Sequence, residues 1–436
     1  MASADAPAAQ RRDGRRPSAA LVGSLVILVT GLAYSFCWQA VLGHQWAWST
    51  PSDLWTSFRA AQYVSWGGLA QIYNNPAAYQ TFPALAVALS PLAYLCDHLH
   101  LTSAYPVDLG RPSAWCLLGP VDLVLGSLVL FPLERLMRRL GAPRHRRYLV
   151  VGLTTALVWL LVAYWGHPED SVALALGLGA LLAGDDGRWL RMALLLGVGV
   201  AFQPLIILIA PLAISRVPPR HWPAAAGTVL APSTLLLLVP LARQWRATTH
   251  RLWHQPNYLP LNHPTPWLRL APVLVPAHWR RIQVSHYVTL PHGAHRLVQT
   301  EITVFDPNVV AAGPGRLVAV AVSFALGVLA WRRRPTLAGI VWLAGIALAL
   351  RCVVEPVMVP YYLVPGTVLL VAVSSSSSIR RFVLSAIAVT LVSWLSYWHA
   401  TPWPYYVMML ALLVLAAMAS RPRHRDVSSA ADVASP

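Results

Sequence analysis

Long apolar stretches recur along most of the chain, and short polar segments separate them. An α-helix needs about 20 predominantly apolar residues to cross the hydrocarbon core of a membrane. The pattern therefore predicts an all-α polytopic membrane protein, a bundle of about ten spanning helices. The predicted spans are residues 20–42, 113–133, 148–165, 170–184, 222–242, 311–331, 336–354, 357–374, 382–398 and 403–420.

Two further apolar stretches, residues 82–97 and 190–214, differ from these because prolines interrupt them, for example at Gln203-Pro204. Non-helical backbone at membrane depth is tolerated where protein or a water-filled cavity covers it, so half-helices of this kind usually border a site. If each stretch enters and leaves on one face, the arginine-rich segment 135–147 remains cytoplasmic, as short arginine-rich loops tend to be. We therefore predict two re-entrant or half-spanning segments.

Composition agrees with a membrane class, since 56% of the residues are hydrophobic, 11% are charged and the mean hydropathy is +0.53. All basic residues are arginine, and they form short clusters between apolar runs, unlike the continuous basic face of a nucleic-acid binder. In this topology 22 of the 33 arginines are cytoplasmic. We predict a multi-pass protein of the cell membrane with one transmembrane unit (20–420). The basic tail before it (1–19) and the disordered tail after it (421–436) would both lie in the cytoplasm.

Ionisable residues gather on the predicted outer face, which carries the loops 43–112 and 243–310. Asp53 is the first carboxylate after the first membrane crossing, and a lone acid among apolar helices indicates chemistry. Asp53 also precedes an amphipathic stretch that continues to Ser65, where aspartate is a favoured helix N-cap. One residue can serve both purposes.

The loop 243–310 mixes tryptophans and histidines with many prolines, which forbid a long regular helix. We expect a cap of turns and not a separate folded domain. One interpretation is an interfacial collar that seats the protein in the bilayer; the other is a lid over a lipid-phosphate site, to which His254 and His263 would contribute. The histidines lack the close spacing of zinc ligands, so no metal site and no cofactor is predicted.

Three stretches resemble the GT-C superfamily of polyprenyl-phosphate-sugar-dependent glycosyltransferases, most closely the α-mannosyltransferases of the cell envelope. The chain departs from the family pattern at Ala84, where relatives often carry proline, and at Gln203, where they usually carry lysine. The similar motifs are Asp53-Leu54, Arg59-Ala-Ala61, Gly68-Leu-Ala-Gln-Ile-Tyr73, Thr81-Phe-Pro-Ala84, Leu89-Ser-Pro-Leu92, Gly166-His-Pro-Glu-Asp170, Gly187-Arg-Trp189, Gly197-Val-Gly-Val-Ala-Phe-Gln-Pro204 and Glu355-Pro-Val-Met-Val-Pro-Tyr-Tyr362.

The resemblance implies transfer of mannose from a polyprenyl-phosphate donor to a glycolipid or glycan acceptor on the outer face, with membrane lipid as a further partner. The clustered arginines predict no nucleic-acid partner. Asp53 would act as general base in a single displacement that inverts the anomeric carbon. Cationic side chains would hold the phosphate. The candidate substrate-binding residues are Arg59, His167, Glu169, Asp170, His254, His263, Arg351, Glu355, Tyr361 and Tyr362.

Other roles stay open for several residues. Glu169 and Asp170 could bind acceptor hydroxyls or a divalent cation, and they also suit the first turn of a helix. Glu355 stands four residues after Arg351, a spacing that allows a structural ion pair. Asp122 lies within an apolar helix and should face the protein interior. The alternative functions are a multi-pass transporter or lipid permease and a catalytically inactive scaffold. A single pocket of acids at the outer face favours transfer chemistry, whereas a mid-membrane array of carboxylates favours transport.

Overall fold

A computed structural model of the protein describes residues 17–41, 52–74, 79–101, 114–258, 263–289, 295–306, 308–398 and 402–422. Most of this backbone is helical. The α-helices are α1 (Ala19–Val41), α2 (Ser52–Ser65), α3 (Ala84–His98), α4 (Trp115–Ser127), α5 (Leu130–Arg139), α6 (Arg144–Trp159), α7 (Pro168–Asp185), α8 (Trp189–Phe202), α9 (Ala210–Ile214), α10 (Trp222–Trp253), α11 (Gly315–Arg333), α12 (Leu337–Val354), α13 (Leu363–Ser374), α14 (Ile379–Leu395) and α15 (Pro402–Ser420).

A helix lies at each of the ten segments that the sequence predicts to span. By length and composition, six stretches in the described residues are long and apolar enough to cross a membrane, and they indicate a membrane protein. The remaining apolar helices are shorter. The six stretches are Trp115–Arg139, Arg144–Tyr164, Pro219–Trp253, Gly315–Arg333, Leu337–Val354 and Pro402–Ser420.

The stretch 190–214 is broken where its proline predicts a break. Helix α8 ends at Phe202, and Gln203 is extended with φ −140° and ψ 109°. A tight 3-10 helix, Pro204–Ile209, follows before α9 begins. Proline cannot donate to the preceding turn and disfavours helical geometry in the residue before it, so Gln203 leaves the helix. The break therefore separates α8 from the 3-10 helix at Gln203, which lines the cavity described below.

Helices α7, α12 and α13 form the centre of the bundle. Every residue of α13 is buried, and most residues of α7 and α12 are buried as well. A helix that is hydrophobic on all sides is normally buried, either in the core of a protein or in a membrane. In contrast, the first helix, α1, and α10 and α11 each expose an apolar stripe, as helices do that face lipid.

The region 243–310 differs from the predicted cap of turns. Helix α10 continues to Trp253 across a kink at Gln244, and two twelve-residue strands pair as an antiparallel hairpin. The prolines of this region lie before residue 277 and at positions 291 and 307, so the hairpin strands contain none, and the prediction of turns was wrong there. The strands are β1 (Pro256–Tyr258), β2 (His263–Pro264), β3 (Val273–Val275), β4 (His278–Thr289), β5 (His295–Asp306), β6 (Val309–Ala311) and β7 (Val357–Met358).

Two small sheets connect this region to the helical bundle. Strand β6 pairs with β1 on one side and β3 on the other. Strand β2 pairs with β7 in antiparallel register, so that His263 lies opposite Met358 between α12 and α13. These pairings fix the segment after α10 above the end of α12, where it forms part of a cavity wall.

Candidate functional site

A cavity of about 420 Å³ lies where α2, the start of α7, the 3-10 helix after α8, and the facing ends of α11 and α12 meet. Its wall combines polar side chains with the apolar segment 204–208 and the first turns of α11. Pockets with a few convergent polar groups on an apolar wall are typical ligand sites. Seven of the residues that the sequence proposes line it: Asp53, His167, Glu169, Arg351, Glu355, Tyr361 and Tyr362.

Helix α2 places Asp53 at the cavity. Leu54, Phe58 and Ala61 recur on one side of this helix and pack in a common apolar cluster with residues of α3. Asp53, in the first turn of α2, instead points toward the cavity, where its side chain is 42% exposed. The helix is thus anchored by its apolar face, and the carboxylate remains accessible to a ligand.

The turn between α6 and α7 places His167. The end of α6 widens into one π turn, Leu160–Tyr164, and Gly166 follows with φ +79°, a conformation that glycine adopts without strain. Pro168 then occupies the first turn of α7, where its missing N–H costs nothing. The imidazole therefore lies between the chain before α7 and the carboxylates of its first turn.

His167 joins two carboxylates. Its Nδ1 lies 2.7 Å from Glu169 Oε1, and its Nε2 lies 3.0 Å from Asp53 Oδ2. Ionised carboxylates only accept hydrogen bonds, so an imidazole that bonds to both donates from both nitrogens and is an imidazolium. Glu169 is buried, with 5% of its side chain exposed. The three side chains form a bridge, hereafter the Asp53–His167–Glu169 bridge, with one net negative charge.

The protonation of the bridge follows from its surroundings. Burial lowers the pKa of His167, but the charge of Glu169 and the hydrogen bond to Asp53 outweigh burial, so this pKa lies well above its ordinary value. Burial raises the pKa of Glu169, and the charge of His167 acts against that rise. The Tyr361 ring packs against the imidazole at an interplanar angle of 37°, with ring centroids 4.3 Å apart, and restricts its orientation.

Asp170 lies beside the cavity and is held by Gln203. The Gln203 amide donates to Asp170 Oδ1. A buried carboxylate needs donors, and the extended backbone at Gln203 brings the amide within reach. Gln203 therefore serves as a neutral partner of Asp170, which is 5% exposed.

Two arginines of the same cavity wall share one carboxylate. Arg316 Nε lies 2.9 Å from Glu355 Oε1, and Arg351 Nε lies 3.6 Å from the same oxygen. Arg316 also donates to Gln255 Oε1 at 2.8 Å. The Arg351 guanidinium stands over the Tyr362 ring, 3.3 Å from its centroid. Because one acid neutralises only one of the two cations, this Arg316–Glu355–Arg351 cluster keeps a net positive charge.

Arg316 is a cavity residue that the sequence analysis does not propose, although it lies in the predicted span 311–331. It is the second residue of α11, and Gly315 before it touches the end of α12: a Cβ at Gly315 would overlap the carbonyl oxygen of Val354. The Pro314-Gly315 pair before an apolar run was the available signal, since it predicts a helix start there. The close approach brings Arg316 to Glu355.

Besides Asp170, three proposed residues lie outside the cavity wall. Arg59 stands over the Trp55 ring at 5.3 Å, and His254 bonds to the carbonyl of His250 one turn earlier in α10. His263 is buried, bonds to the Ser396 carbonyl at 2.7 Å and stacks on Tyr405. The folded chain therefore does not gather them with Asp53.

No known family model matches the chain, and no curated protein matches its sequence. Among the described residues, no three or more His, Cys, Asp or Glu side chains have the arrangement of a metal site. The fold and the cavity alone therefore define the class of protein. It is a mostly helical membrane protein, and a cavity among its helix ends is lined by ionisable side chains, including an accessible carboxylate and a positive cluster.

Proposed function

We propose that the protein is a membrane glycosyltransferase. By its resemblance to the GT-C mannosyltransferases, it transfers mannose from a polyprenyl-phosphate donor to a glycolipid or glycan acceptor of the cell envelope. The observation that carries the proposal is the composition of one cavity, which combines the accessible carboxylate of Asp53, held by partly buried His167, with the positive Arg316–Glu355–Arg351 cluster.

The reaction needs one base and one anion-binding group. The acceptor hydroxyl oxygen attacks the anomeric carbon and its proton passes to Asp53, while the bond from that carbon to the phosphate oxygen breaks and the polyprenyl phosphate leaves with the electron pair. This single displacement inverts the anomeric configuration and uses one carboxylate. Arg316 and Arg351 would stabilise the departing phosphate through charge-assisted hydrogen bonds.

His167 would position the base. Its bond to Asp53 Oδ2 would hold the carboxylate in a fixed orientation toward the acceptor. Glu169, which is buried behind the imidazole, keeps the ring cationic and oriented. In this scheme neither His167 nor Glu169 touches the sugar.

The proposal includes a topology. Ten helices span, the segments 82–97 and 190–214 enter and leave on one face, both termini are cytoplasmic, and the cavity opens on the outer face of the cell membrane. Its support is the distribution of charge along α7: the Asp53–His167–Glu169 bridge lies at the first turn, and an arginine-rich cluster that includes Arg139 lies at the last. Short arginine-rich loops favour the cytoplasm.

The direct test is Asp53→Asn in purified protein, with a radiolabelled polyprenyl-phosphate mannose and a membrane lipid extract as acceptor. We expect a loss of transfer of about 10²–10⁴-fold, the usual contribution of a general base. Asp97→Asn is the matched control, because Asp97 accepts hydrogen bonds from Gln62 and Trp66 outside the cavity. Undiminished transfer by Asp53→Asn would refute the assignment.

A transporter has one observation in its favour. Asp122 is buried within α4, and neither of its carboxylate oxygens has a hydrogen-bond partner in the described structure. A lone carboxylate within a membrane helix is a common feature of proton pathways. If proteoliposomes took up protons and Asp122→Asn abolished the uptake while glycosyl transfer was undetectable, the transporter would be the correct reading.

A further inference from the structure

A second cavity, of about 300 Å³, lies at the other end of α7 from the Asp53 site. Helix α7 begins next to His167 and ends at Asp185, and the following residue, Asp186, belongs to the wall of the second cavity. The 18 residues of α7 rise about 27 Å at 1.5 Å per residue, close to the thickness of the hydrocarbon core. The two cavities therefore lie on opposite sides of the bundle.

Three arginines line this second cavity: Arg135 from α5, and Arg188 and Arg191 from the start of α8. All three are exposed. Within the part of the chain that the structure describes, no carboxylate lies within ion-pair distance of any of them. Three guanidinium groups thus surround one concave surface without neutralisation by the protein.

The nearby acids are already engaged elsewhere. Asp186 also lines the cavity, but its Oδ1 lies 2.5 Å from Arg139 Nη2. Asp185 is shared between Arg139 at 3.3 Å and Arg216 at 2.7 Å. Because Asp185 and Asp186 pair with arginines other than the three that line the cavity, they do not neutralise the positive charge of those three.

The N-terminus of α8 adds to the positive charge of the second cavity. Its first turn contains no acid, Arg188 stands at its N-cap and Arg191 three residues later, on the same side of the helix. A helix N-terminus carries a partial positive charge and normally favours acidic side chains. Two arginines at this end are unfavourable by themselves, and an anion between them and Arg135 would relieve the repulsion.

The rest of the wall is apolar. Phe131 and Pro132 of α5, Leu182 of α7 and Leu195 of α8 continue the surface away from the arginines. Phe131 is 44% exposed although it belongs to a helix stretch apolar enough to cross a membrane. A site with a cationic rim and an adjoining apolar slope suits a ligand with an anionic head and a hydrocarbon tail.

We propose that this cavity binds an anionic phospholipid of the adjacent leaflet. Arg135, Arg188 and Arg191 surround the headgroup phosphate by charge-assisted hydrogen bonds, and the first part of the acyl chain lies along Phe131 and Leu195. Basic pockets between membrane helices are suited to such headgroups. The proposal does not depend on the glycosyltransferase assignment, since none of these residues lines the Asp53 cavity.

The test is native mass spectrometry of the full-length protein in detergent, titrated with phosphatidylglycerol, with phosphatidylcholine of the same acyl chains, or with glycerol 3-phosphate. The variant is Arg188→Gln with Arg191→Gln. The control pair is Arg332→Gln with Arg333→Gln, which removes the same charge from exposed residues in the last turn of α11, outside the cavity. Arg135→Gln is a second, independent variant on another helix.

We expect the wild type to retain one phosphatidylglycerol in preference to phosphatidylcholine. Each cavity arginine removed should weaken that binding about fivefold, and the Arg188 and Arg191 pair about thirtyfold, while the control pair leaves it unchanged. Equal weakening by both pairs would show attraction to general surface charge and would overturn the site. Binding of glycerol 3-phosphate as tight as that of the lipid would overturn the role of the acyl chain, and no effect of any cavity variant would overturn the proposal entirely.

Discussion

Replacing His167 by alanine tests whether a buried ion pair holds the cavity together. The change removes the hydrogen bonds to Glu169 at 2.7 Å and to Asp53 at 3.0 Å. The two losses differ in cost because the partners differ in exposure, 5% for the Glu169 side chain and 42% for that of Asp53. Water can replace the imidazole at Asp53, whereas Glu169 is left buried and unpaired.

The expected magnitudes follow from that difference. Removing one member of a buried ion pair costs about 3–5 kcal/mol, so we expect a loss of this size for His167→Ala. Asp53→Asn removes the exposed contact and should cost about 0–1 kcal/mol. Glu169→Gln should cost about 1–3 kcal/mol, because it removes a charged acceptor while His167 keeps its bond to Asp53.

A double-mutant cycle separates the ion pair from simple loss of packing. The free energy of unfolding is measured in mixed micelles by titration with sodium dodecyl sulfate for the wild type, His167→Ala, Glu169→Gln and the double variant. We expect the double variant to be more stable than the sum of the single losses predicts, with a coupling of about 2 kcal/mol. Strictly additive losses, or an Asp53→Asn cost equal to that of His167→Ala, would refute the buried-pair reasoning.

Three further predictions concern pH, the arginine cluster and the helix contact. The pKa of His167 is raised in the folded state. The stabilisation by protonated His167 is therefore complete below about pH 6.5 and is lost as the pH rises through the folded-state pKa. The sodium dodecyl sulfate titration, repeated at increasing pH, should show this loss in the wild type and not in His167→Ala. Glu355→Gln should lower the free energy of unfolding by about 3–5 kcal/mol, because Arg351 stays buried without its carboxylate. Gly315→Ala should cost about 3 kcal/mol or prevent folding, measured by the yield of monodisperse protein, because the added methyl group overlaps the Val354 carbonyl.

The last prediction has a matched control in the same chain. Gly152 lies within α6, and a methyl group added there meets no atom within 4 Å. Gly152→Ala should therefore leave stability unchanged or raise it by up to about 1 kcal/mol, because alanine is the better helix former. Equal effects of the two alanine substitutions would show that the contact between α11 and α12 does not constrain residue 315.

Much of the helical framework could be predicted from local pattern. Helices lie at all ten predicted segments, and the broken geometry at Gln203 follows from the proline that comes after it. The burial of Asp122 was predicted correctly as well, because a carboxylate in lipid is too costly to expose. The region 243–310 was predicted less well: its proline content concealed a hairpin whose strands pair over twelve residues each.

In the candidate site, too, contacts between residues near in sequence could be predicted, whereas contacts between distant residues could not. The ion pair of Arg351 with Glu355 follows from their spacing of four residues along one helix end. The stronger contact of Glu355 with Arg316 joins residues 39 apart, and no local pattern indicates it. Arg59, His254 and His263 were proposed because cationic groups suit a phosphate, yet each side chain has partners outside the cavity wall. The catalytic role of Asp53 stays a prediction.

The amino-acid sequence by itself determined the helices and their membrane character, because apolar length and backbone hydrogen bonding are local properties that each segment carries alone. Only the tertiary structure decided which ionisable groups meet. Asp53 and His167 are 114 residues apart and come within 3.0 Å because α2 packs on α3 while the turn before α7 directs the imidazole toward it. Such contacts depend on the relative placement of whole helices, which the packing of many side chains sets together.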